Sequence, residues 1–138
     1  MINKTSVKAI AVAIVSLCFS ASVLAANWVK LMGYTSPSSG SYVDNEYYDS
    51  ETIKREGNFV TVWTKRINMG IGGTDEYLMK RYFDCGSQRY QILYTKQTGQ
   101  HNQINDYANN RQWLTTDLDD ALNMNTARRI CALYGMKP

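Results

Sequence analysis

The chain has 138 residues, 44% of them hydrophobic and 20% charged, and a formal net charge of +3. That length fits one domain with a core of modest size. Lys4 and Lys8 lie in a leader-like stretch, so the remainder carries only +1, which excludes the strongly basic footprint of a nucleic-acid-binding protein.

Met1 to Ala25 reads as a secretory signal peptide. It has a short positive region, an apolar run and small residues, Val23 and Ala25, placed for cleavage before Ala26. Leu17, directly before Cys18, argues against lipid attachment at that cysteine, which is expected to leave with the leader. The mature chain, 26–138, is expected to be one domain, with no later run reaching the roughly 20 apolar residues of a transmembrane span. Periplasm, cell surface and secretion are all open destinations.

Trp28 to Met32 reads as a first strand ending at Gly33, followed by a polar loop, Thr35 to Ser41, and a second strand, Tyr42 to Asp49. Asp49 begins a polar turn whose side chains can accept from backbone N–H groups near Thr52. Ile53 lies on a short connection, and Gly57-Asn58 supplies the positive φ of a tight reversal. From Phe59 to Arg66 the pattern has period two: Phe59, Thr61, Trp63 and Lys65 face one way, Val60, Val62, Thr64 and Arg66 the other. The glycines between Asn68 and Thr74 read as a hairpin loop, because a strand pattern and not a helix start follows them. Tyr77 to Asp84 and Tyr90 to Lys96 then form a second hairpin with Cys85 at its tip.

Gln97 to Arg111 is polar and holds the only histidine, His101, which reads as a solvated surface imidazole. A strand-like piece lies around Ile104 to Tyr107. Thr115, Thr116 and Asp117 offer helix caps. The last element is expected to be a helix capped by Thr126, with Ala127, Ile130, Cys131 and Tyr134 on one face and Gly135 at its end. The fold class is therefore α+β, a mainly antiparallel sheet with a C-terminal helix. Cys85 and Cys131, paired in an oxidising compartment, are expected to join the two as a disulfide.

No catalytic set is expected, and no cofactor. Without a second histidine or a free thiol, zinc would need a carboxylate site that no spacing suggests. Asp117, Asp119 and Asp120 read as helix-start anions. Trp28, Trp63 and Trp113 read as core aromatics, with a ligand platform as the alternative. The ten tyrosines leave two readings open, a protein-binding face or a sheet with a wet outer side. Phe83 is expected inward, and Tyr82 outward beside Lys80, making Lys80 and Tyr82 the candidate binding residues.

Trp28, Tyr48-Asp49, Ile53, Gly57-Asn58, Val62-Trp63, Cys85, Trp113 and Cys131, in that order along the mature chain, resemble the surface-adhesin protein E family of Gram-negative bacteria. The resemblance implies an antiparallel sheet with a disulfide-tied helix, binding of host extracellular-matrix or serum proteins, and homodimers. The matching residues are turn formers, aromatics and cysteines, so they argue fold and transfer no binding residue. The expected function is a secreted or surface-exposed binding module without catalysis. A periplasmic inhibitor or immunity-type protein is the alternative.

Overall fold

The computed structural model describes residues 26–35, 43–115 and 121–136. The leader, the loop before the second strand and the caps at Thr116 and Asp117 lie outside them. Eight strands form one antiparallel sheet: β1 (Trp28–Thr35), β2 (Val43–Asp49), β3 (Lys54–Glu56), β4 (Phe59–Gly70), β5 (Gly73–Asp84), β6 (Arg89–Gly99), β7 (Gln103–Asp106) and β8 (Leu114–Thr115). The order is β1-β2-β4-β5-β6-β7, with β3 added to β4 and β8 to β6. Among the described residues one helix, α1 (Ala121–Ala132), covers one face. The α+β class read from the sequence is the class observed.

Turn chemistry sets the register. The Asp49 carboxylate accepts from the N–H groups of Glu51 (3.1 Å) and Asn27 (3.0 Å), which fixes the β2 exit and ties it to the start of β1. Thr52 continues the turn: its hydroxyl donates to the Asp49 carbonyl (3.2 Å) and accepts from Trp63 N–H (3.3 Å). Gly57 has φ +61°, the left-handed conformation that reverses β3 into β4. The Asn58 carbonyl accepts from Cys85 N–H (2.9 Å) and so places the cysteine beside that turn.

The β4 alternation is clear in burial from Phe59 to Thr64. Val60, Val62 and Thr64 are buried under the helix side of the sheet, while Phe59, Thr61 and Trp63 are only half-buried on the other. Phe83 is inward, as expected, with Leu31, Tyr90 and Cys85, and these meet Ala127, Ile130 and Cys131 of α1. Tyr48, Ile53, Ile92, Tyr134 and Met136 close the margin. The helical stripe is therefore the one its spacing predicts. Small β-branched residues give the sheet a flat inner surface on which a helix can seat closely.

The helix start differs from the expectation. Thr126 does not cap α1; it lies in its interior, and its hydroxyl donates to the Leu122 carbonyl (2.9 Å). The extra N-terminal turn is held by the sheet: Asn123 donates to the Tyr90 hydroxyl (3.0 Å) and accepts from Arg66 (2.9 Å). Tertiary bonds thus override weak local propensity. At the far end Gly135, with φ +68°, completes a Schellman cap: Met136 N–H reaches the Cys131 carbonyl (3.2 Å) and Gly135 N–H that of Ala132 (3.0 Å).

The inner face changes character along its length. At 12 residues each, β4 and β5 run about 40 Å, whereas α1 spans about 18 Å. The apolar core occupies one half. Toward the other, Glu46 of β2 lies fully buried between Arg66 (2.8 Å) and Arg81 (3.0 Å).

β6 carries one irregularity. Arg81 pairs with Ile92 but Lys80 pairs with Tyr94, so Leu93 is an extra residue on that strand. The bulge turns Tyr94 to the face away from the helix, which uninterrupted alternation from Tyr90 would have denied it.

Candidate protein-binding face

All three tryptophans lie on the side of the sheet opposite α1 or at its margin, each beside a cation. Their placement corrects the reading of Trp28, Trp63 and Trp113 as core. The buried cluster contains none of them, and Trp113 is 39% exposed. These rings cover one another and the stems of basic side chains, which shields their apolar area without a second layer of structure.

Three groups cross the face. Phe59 of β4 stacks on Tyr82 of β5, with centroids 5.1 Å apart and planes within 7°. Trp113, just before β8, tilts against both at 6.4 and 5.9 Å. The Arg89 guanidinium lies 4.7 Å from the Trp113 ring and is held by Asp84 (3.1 Å) and Ser87 (2.8 Å). Burial alone would raise the Asp84 carboxyl, but hydrogen bonds from Ser87, Arg89 and Gly86 N–H outweigh it and keep it below the ordinary carboxylate range.

In the second group Trp63 meets Tyr94 edge-on, 5.5 Å apart at 68°, with Lys80 Nζ 6.0 Å from the Trp63 ring. The third is built around Lys65, whose ammonium sits 4.6 Å from the Trp28 ring and 5.6 Å from that of Tyr47. Contacts of this kind contribute about 0.5–1 kcal/mol each at exposed sites. Phe59, Trp63 and Lys65 share the outward set of β4, so one strand anchors all three groups.

Lys80 and Tyr82 both face outward, as expected, but belong to different groups: Tyr82 to the Phe59 stack, Lys80 to the Trp63 corner. Phe59, Tyr94 and Arg89 complete the face and were not singled out by the sequence. Phe59 could have been found from its place in the outward alternation, whereas Tyr94 depends on the bulge. The other motif residues are structural. Val62 is fully buried, Tyr48 and Ile53 pack on the core, and Asp49, Gly57 and Asn58 form the turns described above.

Two clefts flank the Trp63–Lys80 pair. One, of ≈ 320 Å³, is lined by Trp63, Lys80, Leu93, Tyr94, Asp106 and Arg111, together with Ala108. The other, also ≈ 320 Å³, runs past Thr52, Lys54 and Glu56.

His101 is exposed, with Nδ1 3.3 Å from Asp75 Oδ2. The His101 N–H, donating to the Asp75 carboxylate, leads the effects that lower the Asp75 pKa. Among the described residues no group of three or more His, Cys, Asp or Glu side chains could hold a metal ion, and no helix is long and apolar enough to cross a membrane.

Because Trp63 is half-buried, Trp63→Ala is expected to cost only about 1–2 kcal/mol, the scale of one aromatic pair plus partial burial, instead of the 3–5 kcal/mol of a core tryptophan. Chemical denaturation measures it, and a loss above about 3 kcal/mol would return Trp63 to the core. No family model, curated protein or solved structure matches the chain.

Proposed function

We propose that this protein is a secreted or surface-exposed bacterial binding module of adhesin type, recognising host or other proteins without catalysis. The observation that carries the reading is the outer sheet face, where Trp63, Tyr82, Tyr94 and Trp113 stand beside Lys80 and Arg89. A free domain gains little by keeping such rings at its surface. A binding domain gains rigid contact area at low entropic cost, with cations that orient a partner. The resemblance to the surface-adhesin protein E family supports the same reading and suggests extracellular-matrix or serum proteins as ligands, with homodimers as a further use of the face.

The test is Tyr82→Ser combined with Lys80→Ser. Both side chains leave the core intact, so the variant should fold while its binding to immobilised matrix and serum proteins, and its self-association, fall about tenfold or more. A folded variant that retains both would reduce the face to a solvated sheet. Protease added to intact cells separates the adhesin from the periplasmic inhibitor or immunity-type alternative: cleavage supports the first, protection the second.

A further inference from the structure

The cleft beside Trp63 has the makings of a specific pocket within the broader face, and its charges say what it would take. Two of its liners are cations without a carboxylate partner among the described residues. Lys80 makes its one described contact with the Trp63 ring, and Arg111 makes no hydrogen bond or ion pair there. The third charged liner, Asp106, accepts from Ala108 N–H (2.9 Å) through Oδ1 and closes the turn after β7, and its one negative charge leaves the three liners at a net +1. Across the Trp63–Lys80 ridge the charges balance, with Glu51 and Glu56 against Lys54 and the shared Lys80. The surplus positive charge therefore faces the Arg111 side.

The walls restrict the ligand further. Trp63 and Tyr94 meet at 68° and form a corner, not a flat platform. The Lys80 ammonium lies toward the Trp63 ring, over the surface on which a sugar ring would stack. A corner of this shape receives the edge of a compact apolar or aromatic side chain. An ammonium and a guanidinium lining the same cleft suit carboxylates next to that side chain, and Arg111 offers a planar fork for two parallel hydrogen bonds.

Resting on the proposed protein-binding role of the face, the geometry points to an acidic peptide segment as the occupant. An aromatic or aliphatic side chain enters the Trp63–Tyr94 corner, and flanking Asp or Glu carboxylates pair with Lys80 and Arg111. At ≈ 320 Å³ the cleft holds one such side chain and its charged neighbour, which makes it a single anchor point within a larger contact.

The experiment uses a capped glycine-glutamate-phenylalanine-glutamate-glycine peptide, its counterpart with glutamines for the glutamates, and a carboxylated oligosaccharide of similar charge, each titrated into the protein while tryptophan fluorescence is followed. The acidic peptide should bind, with affinity falling about tenfold in Lys80→Gln, in Arg111→Gln and on replacement of its glutamates. Lys54→Gln, in the neighbouring cleft, should leave it unchanged. Equal binding of the glutamine peptide, indifference to Arg111→Gln, or binding of the oligosaccharide alone would overturn the assignment. If the Tyr82→Ser, Lys80→Ser variant loses its protein ligand while Arg111→Gln keeps it and the peptide does not bind, the face stands and the pocket falls.

Discussion

Glu46→Gln is expected to destabilise the protein by about 3–5 kcal/mol, more than any single change on the aromatic face. Glu46 is 0% exposed, and its two carboxylate oxygens lie 2.8 Å from Arg66 and 3.0 Å from Arg81, itself 1% exposed. Neutralising the carboxylate removes the counter-charge shared by the buried Arg81 and the partly exposed Arg66. Moving charges out of water costs several kcal/mol per ion, and the carboxylate between them offsets part of that cost. The expectation is specific to breaking the cluster. Replacing Glu46 and Arg81 together by leucine and methionine should recover most of the loss, because an apolar pair of similar volume needs no counter-charge and the partly exposed Arg66 keeps its bond to Asn123 (2.9 Å). Urea unfolding of the single and double variants measures both. A loss under about 1 kcal/mol for Glu46→Gln would mean that the site exchanges charge with solvent.

Removing the disulfide comes next in size. Cys85 and Cys131 are joined across 46 residues of sequence, and both are buried in the core. A loop of that length restricts the unfolded chain enough for the cross-link to contribute about 4 kcal/mol in the chain-entropy account. The consequence is also local. Cys85 lies next to the turn between β5 and β6, while Cys131 is in the last turn of α1, so the bond fixes the helix to the tightest corner of the sheet. The Cys85→Ala, Cys131→Ala variant should lose about 4 kcal/mol and show faster amide exchange in α1 before the sheet opens. The wild-type mature protein, denatured without reductant, should titrate with no free thiol. Two reactive thiols would remove the bond, and an unchanged unfolding midpoint in the double variant would make it thermodynamically idle.

Much of the fold could be read from residue order because it rests on local rules. The alternation from Phe59 to Arg66, the turns at Asp49 and Gly57, and the apolar stripe of α1 each follow from spacing and turn chemistry. Alternation identifies two faces but not which one the helix covers. Size suggested that Trp63 was core; the helix instead chose Val60 and Val62, since flat packing favours small branched side chains. The Asn123 bonds that lengthen α1 and the Glu46 cluster join residues far apart in sequence, so neither leaves a local pattern. Of the outer aromatic face, Lys80 and Tyr82 were legible. Tyr94 was not, because its direction depends on one surplus residue upstream.

That surplus residue also bears on how the chain can evolve. Deleting Leu93 would remove the bulge and leave Tyr94 directly after inward Ile92, so plain alternation would keep Tyr94 and Lys96 outward and Thr95 and Gln97 on the helix side. A lineage can lengthen the loops at either end of this strand and keep both of its surfaces. It can also lose the one residue between Ile92 and Tyr94 and keep both tyrosines on their present faces, whereas straightening the strand with Leu93 retained would turn Tyr94 under the helix.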